Sequence, residues 1–231
     1  TDADGTVFED NIAGVVGNAN LRTASGGAVR LSGRNLQIAR SRFTGNVVER
    51  IGGAVQGLGG AIHLQGTEVV LISGTQFDNN AVVDANGDGA LSIGGAALLE
   101  CRLGDACGFH VRESSFIDNT MTGQAIGGGG LASAAGNLSL RNVSFSGNGA
   151  SGWSGSALLK AFGGDLDVQH VAFDGNEGVD GAHLALSGVN VVRWAYTLLG
   201  PTAGGTPCSL SGNTVATLTA NVFESGCGAL S

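Results

Sequence analysis

Apolar and polar residues alternate along most of this chain in short runs separated by glycine. Ala61-Ile62-His63-Leu64-Gln65 alternates, Gly66-Thr67 interrupts it, and Val69-Val70-Leu71-Ile72-Ser73 follows before Gly74 and Gln76-Phe77. The preceding stretch matches, with Ala28-Val29-Arg30-Leu31, then Leu36-Gln37-Ile38-Ala39, then Arg42-Phe43. Leu138–Phe145 and Leu166–Phe173 keep strict alternation. A period of two bounded by Gly and Asn predicts half-buried strands, and no window carries a convincing helical stripe.

The strands recur as one unit. Phe-x-x-Asn is written six times, at Phe8/Asn11, Phe43/Asn46, Phe77/Asn80, Phe116/Asn119, Phe145/Asn148 and Phe173/Asn176, with spacings of 35, 34, 39, 29 and 28 residues. A glycine step and an apolar run lie between most of them, as in Gly26-Gly27-Ala28-Val29, Gly59-Gly60-Ala61-Ile62 and Gly94-Gly95-Ala96-Ala97. A fixed phase is natural when successive units stack, each residue type above its own kind. The expected fold is all-β, a right-handed parallel β-helix of roughly seven rungs spaced ~4.8 Å apart. Phe43, Phe77, Phe116, Phe145 and Phe173 would form an internal column. Asn46, Asn80, Asn119, Asn148 and Asn176 would occupy the turn, where Asn tolerates a left-handed backbone and its amide bonds the next Asn. The glycine pairs would supply other corners. Residues 50–59 repeat the Gly-Gly-Ala signal, which marks that loop as variable.

Composition narrows this picture. Gly accounts for 42 of 231 residues, but the alternation excludes a disordered linker. The chain reads as a single domain over 1–231, starting mid-repeat as a mature or trimmed secreted segment would. Only 13% of residues are charged and the net charge is −8, which disfavours nucleic acid and anionic membranes as partners. No apolar run is long enough for a spanning helix. Ten of the eleven cations are arginine, and Lys160 is the only lysine.

Four cysteines allow three pairings. Proximity favours Cys101–Cys107, stapling a loop on one rung, and Cys208–Cys227, closing a C-terminal rung over 208–227. Disulfides imply an oxidising compartment. The sharpest local motif is Asp84-Ala85-Asn86-Gly87-Asp88-Gly89-Ala90, the opening half of an EF-hand-type Ca²⁺ loop. Side-chain oxygens of Asp84, Asn86 and Asp88 and the carbonyl of Ala90 would be the ligands. Gly95 stands where the closing Glu belongs, so Glu100 or a water would substitute; the bland reading is a polar turn padding a long rung. Asp2-Ala3-Asp4-Gly5 is a weaker echo.

An enzymatic β-helix is the rival class. Hydrolysis of a glycosidic bond needs flanking carboxylates, and the sequence motifs of polygalacturonases and pectate lyases are missing. His63, His110, His170 and His183 are expected as outward polar residues. Asp10, Asp78, Asp118 and Asp174 lie between the Phe and the turn Asn, where turn chemistry accounts for them; the alternative is a stacked acidic column binding cations. Trp153, Trp194 and Tyr196 are candidate sugar platforms.

The Gly-Gly-Ala and Phe-x-x-Asn repeats resemble those of chlamydial polymorphic outer-membrane proteins. Trp194-Ala195-Tyr196-Thr197-Leu198-Leu199-Gly200, then Pro207-Cys208-Ser209 and Gly226-Cys227-Gly228, resembles the last coil of bacterial choice-of-anchor Q β-helix proteins. The resemblance implies a secreted or surface-displayed bacterial protein. The expected function is therefore a non-enzymatic, extracellular structural or adhesive rod, with calcium as a candidate cofactor and a cell-surface, matrix or glycan partner. The alternatives are a carbohydrate-active or glycan-binding β-helix and a subunit that self-associates end to end through open strand edges.

Overall fold

A computed structural model describes residues 5–16, 23–51, 56–84, 92–102, 106–123, 125–151, 155–215, 217–223 and 227. Among these the chain forms strands and turns and no helix, and every strand pairing is parallel. The expected parallel β-helix is what the sequence folds into. The described strands form three sheets. A large bent sheet carries two limbs and a short Phe strand per coil: the limbs join in Val29–Ala39 and Ile62–Ser73, with the Phe strands Arg42–Thr44 and Gln76–Asp78 separate, whereas Asn137–Ser146 joins the second limb to its Phe strand and leaves the first limb, Leu131–Ala134, apart. A second sheet stacks Ile12–Val16, Val47–Ile51, Ala81–Asp84, Thr120–Met121, Gly149–Ala150 and Glu177–Gly178. A third stacks Thr23–Ser25, Gln56–Leu58, Ser92–Ile93 and Ala125–Gly127.

Register is kept from coil to coil by the residues that carry the repeat. Phe8, Phe43, Phe77, Phe116, Phe145 and Phe173 are paired in line, and the column continues through Leu199 and Phe223. The six Phe rings stack nearly parallel with centroids 4.7–5.1 Å apart. Each fully buried ring contributes roughly 1.5–3 kcal/mol by removal from water. The inner rows of the large sheet complete the main core with Ile62, Leu64, Ile72, Phe109, Leu140 and Val168.

Beside the Phe column runs the Asn ladder, and its geometry differs from the expectation. Asn46, Asn80, Asn119, Asn148 and Asn176 are fully buried and point inward. The left-handed residue is the one before each of them: Asp10, Gly45, Asn79, Asp118, Gly147 and Gly175 have φ between 51° and 64°. The division of labour has a physical reason. A side chain on the left-handed residue leaves the coil, whereas the next residue enters it and can reach the backbone groups that the corner leaves without sheet partners. Asn119 makes this explicit. Its Oδ1 accepts from the N–H and the Nδ2 of Asn80 at 3.0 and 2.9 Å, while its Nδ2 donates to Phe77 O at 3.1 Å and Asn148 Oδ1 at 3.0 Å. All four bonds an amide readily makes are filled.

The third side of each coil is double. Ala24 of the third sheet packs with Val48, Val82, Met121 and Ala150 of the second. From the other face, Leu58 and Ile93 cover the outward residues Leu98, Ala132, Leu159 and Ala185 of the large sheet. The second and third sheets thus fold back as a flap over one outward face of the coil.

Candidate functional site at the breaks in the repeat

The candidate Ca²⁺ loop begins at the rim of that flap. Asp84 ends its strand, is almost buried, and donates its N–H to Thr122 Oγ1 at 3.2 Å. The next coil leaves room for its carboxylate: a Cβ on Gly123 would lie 2.7 Å from Asp84 Oδ2. Asn86, Asp88 and Ala90 lie outside the described residues, as do Asp2, Asp4 and Trp153. Glu100 does not serve as a free closing ligand. It stands on the large sheet with its carboxylate 2.9 Å from His63 Nε2. Among the described residues no group of three or more His, Cys, Asp or Glu side chains is placed to hold a metal ion.

Both cystines form in the pairing favoured by proximity. Cys101–Cys107 closes the corner between the two limbs, with Cα atoms 5.7 Å apart. Most other coils turn here within a few residues, so the bridge staples a longer loop than its neighbours have. Cys208–Cys227 has Cα atoms 5.3 Å apart and ties the strand Cys208–Ser211 to a buried Cys227.

The histidines divide two and two. His110 and His170 are exposed, as expected. His63 and His183 are buried, which corrects the outward reading. His63 does face away from the core, in register with Arg30 and Leu98, but the flap covers that face. Beside it Glu100 is held below the usual carboxylate range, first by the His63 hydrogen bond and then, against some burial, by the charges of His63 and Arg30. The His63–Glu100 pair thus lies at the flap edge, within electrostatic reach of the exposed Arg30. His183 lies inside the coil and is the residue the repeat most clearly signals. It stands where earlier units place Ala28, Ala61, Ala96, Gly130 and Ala157, in the unit after which Phe-x-x-Asn is no longer written.

Lys160 was legible only as the sole lysine. It occupies an inward row with Leu64, Leu99, Ser133 and Leu186, and it is fully buried. Its ammonium reaches the inter-limb corner and donates to the carbonyls of Ala135, Ala161 and Gly163. Burial pushes its pKa down to about 8, opposed by Asp165. It fills a structural gap with three charge-assisted bonds.

The acidic column does not form. Asp10 and Asp118 sit at left-handed corners and are separated in the stack by Gly45 and Asn79. Asp78 pairs with Arg42 at 3.3 Å. Of the aromatic platforms, Trp194 is fully buried and stacks on Phe173 with centroids 6.4 Å apart, which removes it from any surface role. Tyr196 is exposed and stacks on His170 at 4.9 Å.

The outward face of the second limb carries an open hollow of about 520 Å³. Val69 and Leu71 form its apolar floor. Arg112 and Arg141 stand side by side in register at its rim. Arg141 and Arg193 both lean on Asp167, at 3.5 and 3.3 Å, and His110 closes the edge.

No helix among the described residues is long and apolar enough to cross a membrane. No protein-family model, no curated protein and no solved structure matches this chain.

Proposed function

We propose that the chain is an extracellular β-helical rod of a bacterial surface, working by display and adhesion, with a glycan-bearing surface as its contact. The observation that carries this reading is the outward face of the second limb. It keeps register from the strand Val29–Ala39 to the strand Asp165–Asp174, with a bulge where Leu166 and Asp167 meet the strand Asn190–Ala195, and it bears an open hollow pairing an apolar floor with Arg112 and Arg141. An apolar floor beside guanidinium forks suits a sugar ring carrying carboxylates. Two disulfides fit an oxidising compartment, and the resemblance of the repeats to secreted surface proteins points the same way. Calcium bound at Asp84, Asn86, Asp88 and Ala90 would stiffen the flap rim.

The test is a glycan array of neutral and acidic polysaccharides with the wild type and an Arg112→Ala/Arg141→Ala double variant. Selective binding of acidic glycans that the double variant loses by tenfold or more supports the reading; no binding, or unchanged binding by the variant, overturns this contact face. For calcium, a melting temperature unmoved by chelator in both the wild type and Asp88→Ala removes the ion. A carbohydrate-active enzyme is the second reading, favoured by the His63–Glu100 pair at the flap edge with Arg30 near enough to act on its charge. Glycan turnover that Glu100→Gln abolishes would replace display with catalysis.

A further inference from the structure

The Asn ladder ends on a histidine. Asn176 Oδ1 accepts from the N–H and the Nδ2 of Asn148, both at 2.9 Å, so its amide orientation is fixed by two donors. Its Nδ2 therefore faces forward, donating to Phe145 O at 3.1 Å and to His183 Nδ1 at 3.1 Å. The opposite nitrogen, His183 Nε2, lies 2.8 Å from Gly200 O. A carbonyl only accepts, so Nε2 carries the proton, and Nδ1 must accept from the amide. One neutral tautomer satisfies both contacts.

The following coil brings no Asn to this place. Instead Ala203 N–H donates to Asn176 O, and Leu199 replaces Phe above Phe173. His183 is inserted into the space and packs its ring on Phe173 with centroids 6.0 Å apart. It is a single side chain joining the last full rung of the ladder to the turn that opens the C-terminal coils.

We infer that His183 is a proton-sensitive latch between the Asn-laddered coils and the coils from Leu198 onward. A second ring proton would sit on Nδ1 and point at the Asn176 amide hydrogens. Donor would face donor in a buried site, the Asn176 bond would be lost, and the ring would leave or the coil would open. Burial lowers the pKa of His183, opposed by the hydrogen bond to Gly200 O and by the charge of Asp174 at the end of the neighbouring strand. The sign follows directly. The folded chain binds the proton more weakly than the unfolded chain, so the latch is intact above the ordinary histidine pKa of ~6.5 and weakens as pH falls below it.

The experiment is hydrogen exchange at pH 7.5 and 5.5, corrected for intrinsic rates, on the wild type and His183→Ala, with ¹⁵N chemical shifts reading the ring tautomer. The Nε2–H tautomer is expected at pH 7.5. Opening of residues 198–215 should rise by up to tenfold per pH unit below ~6.5, while residues 138–173 stay unchanged. The His183→Ala variant should open this region at both pH values and lose the extra pH dependence. Asp174→Asn should leave the onset near ~6.5 and extend the rise in opening to lower pH. A pH-independent C-terminal region in the wild type, or an Nδ1–H tautomer, overturns the latch; the second readout needs no variant to fold.

Discussion

Two corners of the same coil solve the same problem differently. At the first, between the second limb and the Phe strand, the left-handed residues are Arg40, Gly74, Glu113, Asn142, His170, Tyr196 and Ala220, with φ from 47° to 56°. The inward residues after them are Ser41, Thr75, Ser114, Val143, Val171, Thr197 and Asn221. At the second corner the inward residue is Asn in six successive coils. Hydroxyls at the first corner act locally: Ser114 Oγ donates back to Arg112 O at 2.8 Å and accepts from Thr75 N–H at 3.2 Å. The amide at the second corner spans three coils, because its two donors and two lone pairs lie far enough apart to reach both neighbours. Valine is tolerated at the first corner, so its backbone does not depend on side-chain partners. At the second, four consecutive ladder residues donate their own N–H to an Asn side chain.

The largest test of this contrast pairs Asn119→Ala with Ser114→Ala. The first removes four buried hydrogen bonds and is expected to cost about 3–5 kcal/mol; the second is expected to cost about 1–2 kcal/mol. Denaturant unfolding of both checks it, and equal losses would break the contrast. Lys160→Met comes next, since Lys160 serves the third, inter-limb corner by charge. The folded pKa of about 8 lies below the ordinary lysine value, so the unfolded chain binds the proton more tightly between about pH 8 and ~10.4. Wild-type stability should therefore rise across that window by up to ~1.4 kcal/mol per pH unit, and Lys160→Met should show no such rise. A flat wild-type profile would contradict the buried, charged placement. The smallest effect belongs to Glu113→Gly, which relieves a left-handed non-glycine corner that is exposed. It is expected to stabilise by about 0.5 kcal/mol, after the greater freedom of the unfolded glycine is allowed for; a thermal melt with Tm lowered would show that the corner is not strained.

The columns were legible because they repeat. Phe-x-x-Asn reported the stacking, and cysteine proximity reported the bridges. Single residues were harder to read. The Asn was placed on the left-handed position because Asn commonly takes it, but a one-residue shift puts the same side chain inside. His63 had the right parity and the wrong exposure, since only the folded flap makes an outward face buried. Trp194 enters the row of Val168 in the same coil where Leu199 replaces Phe, so volume is exchanged between neighbouring rows, which no single row reveals. Lys160 stands in a leucine row because its ammonium, not its position, finds polar partners.

The central claim is that side-chain amides stand in for sheet partners at the Asn corner. Residue-resolved amide exchange of Asn46, Asn80, Asn119 and Asn148 tests it most directly. The prediction is protection equal to that of the neighbouring strand amides at Phe77 and Phe116. Exchange at these four positions as fast as at exposed turns, with the strands still protected, would contradict it.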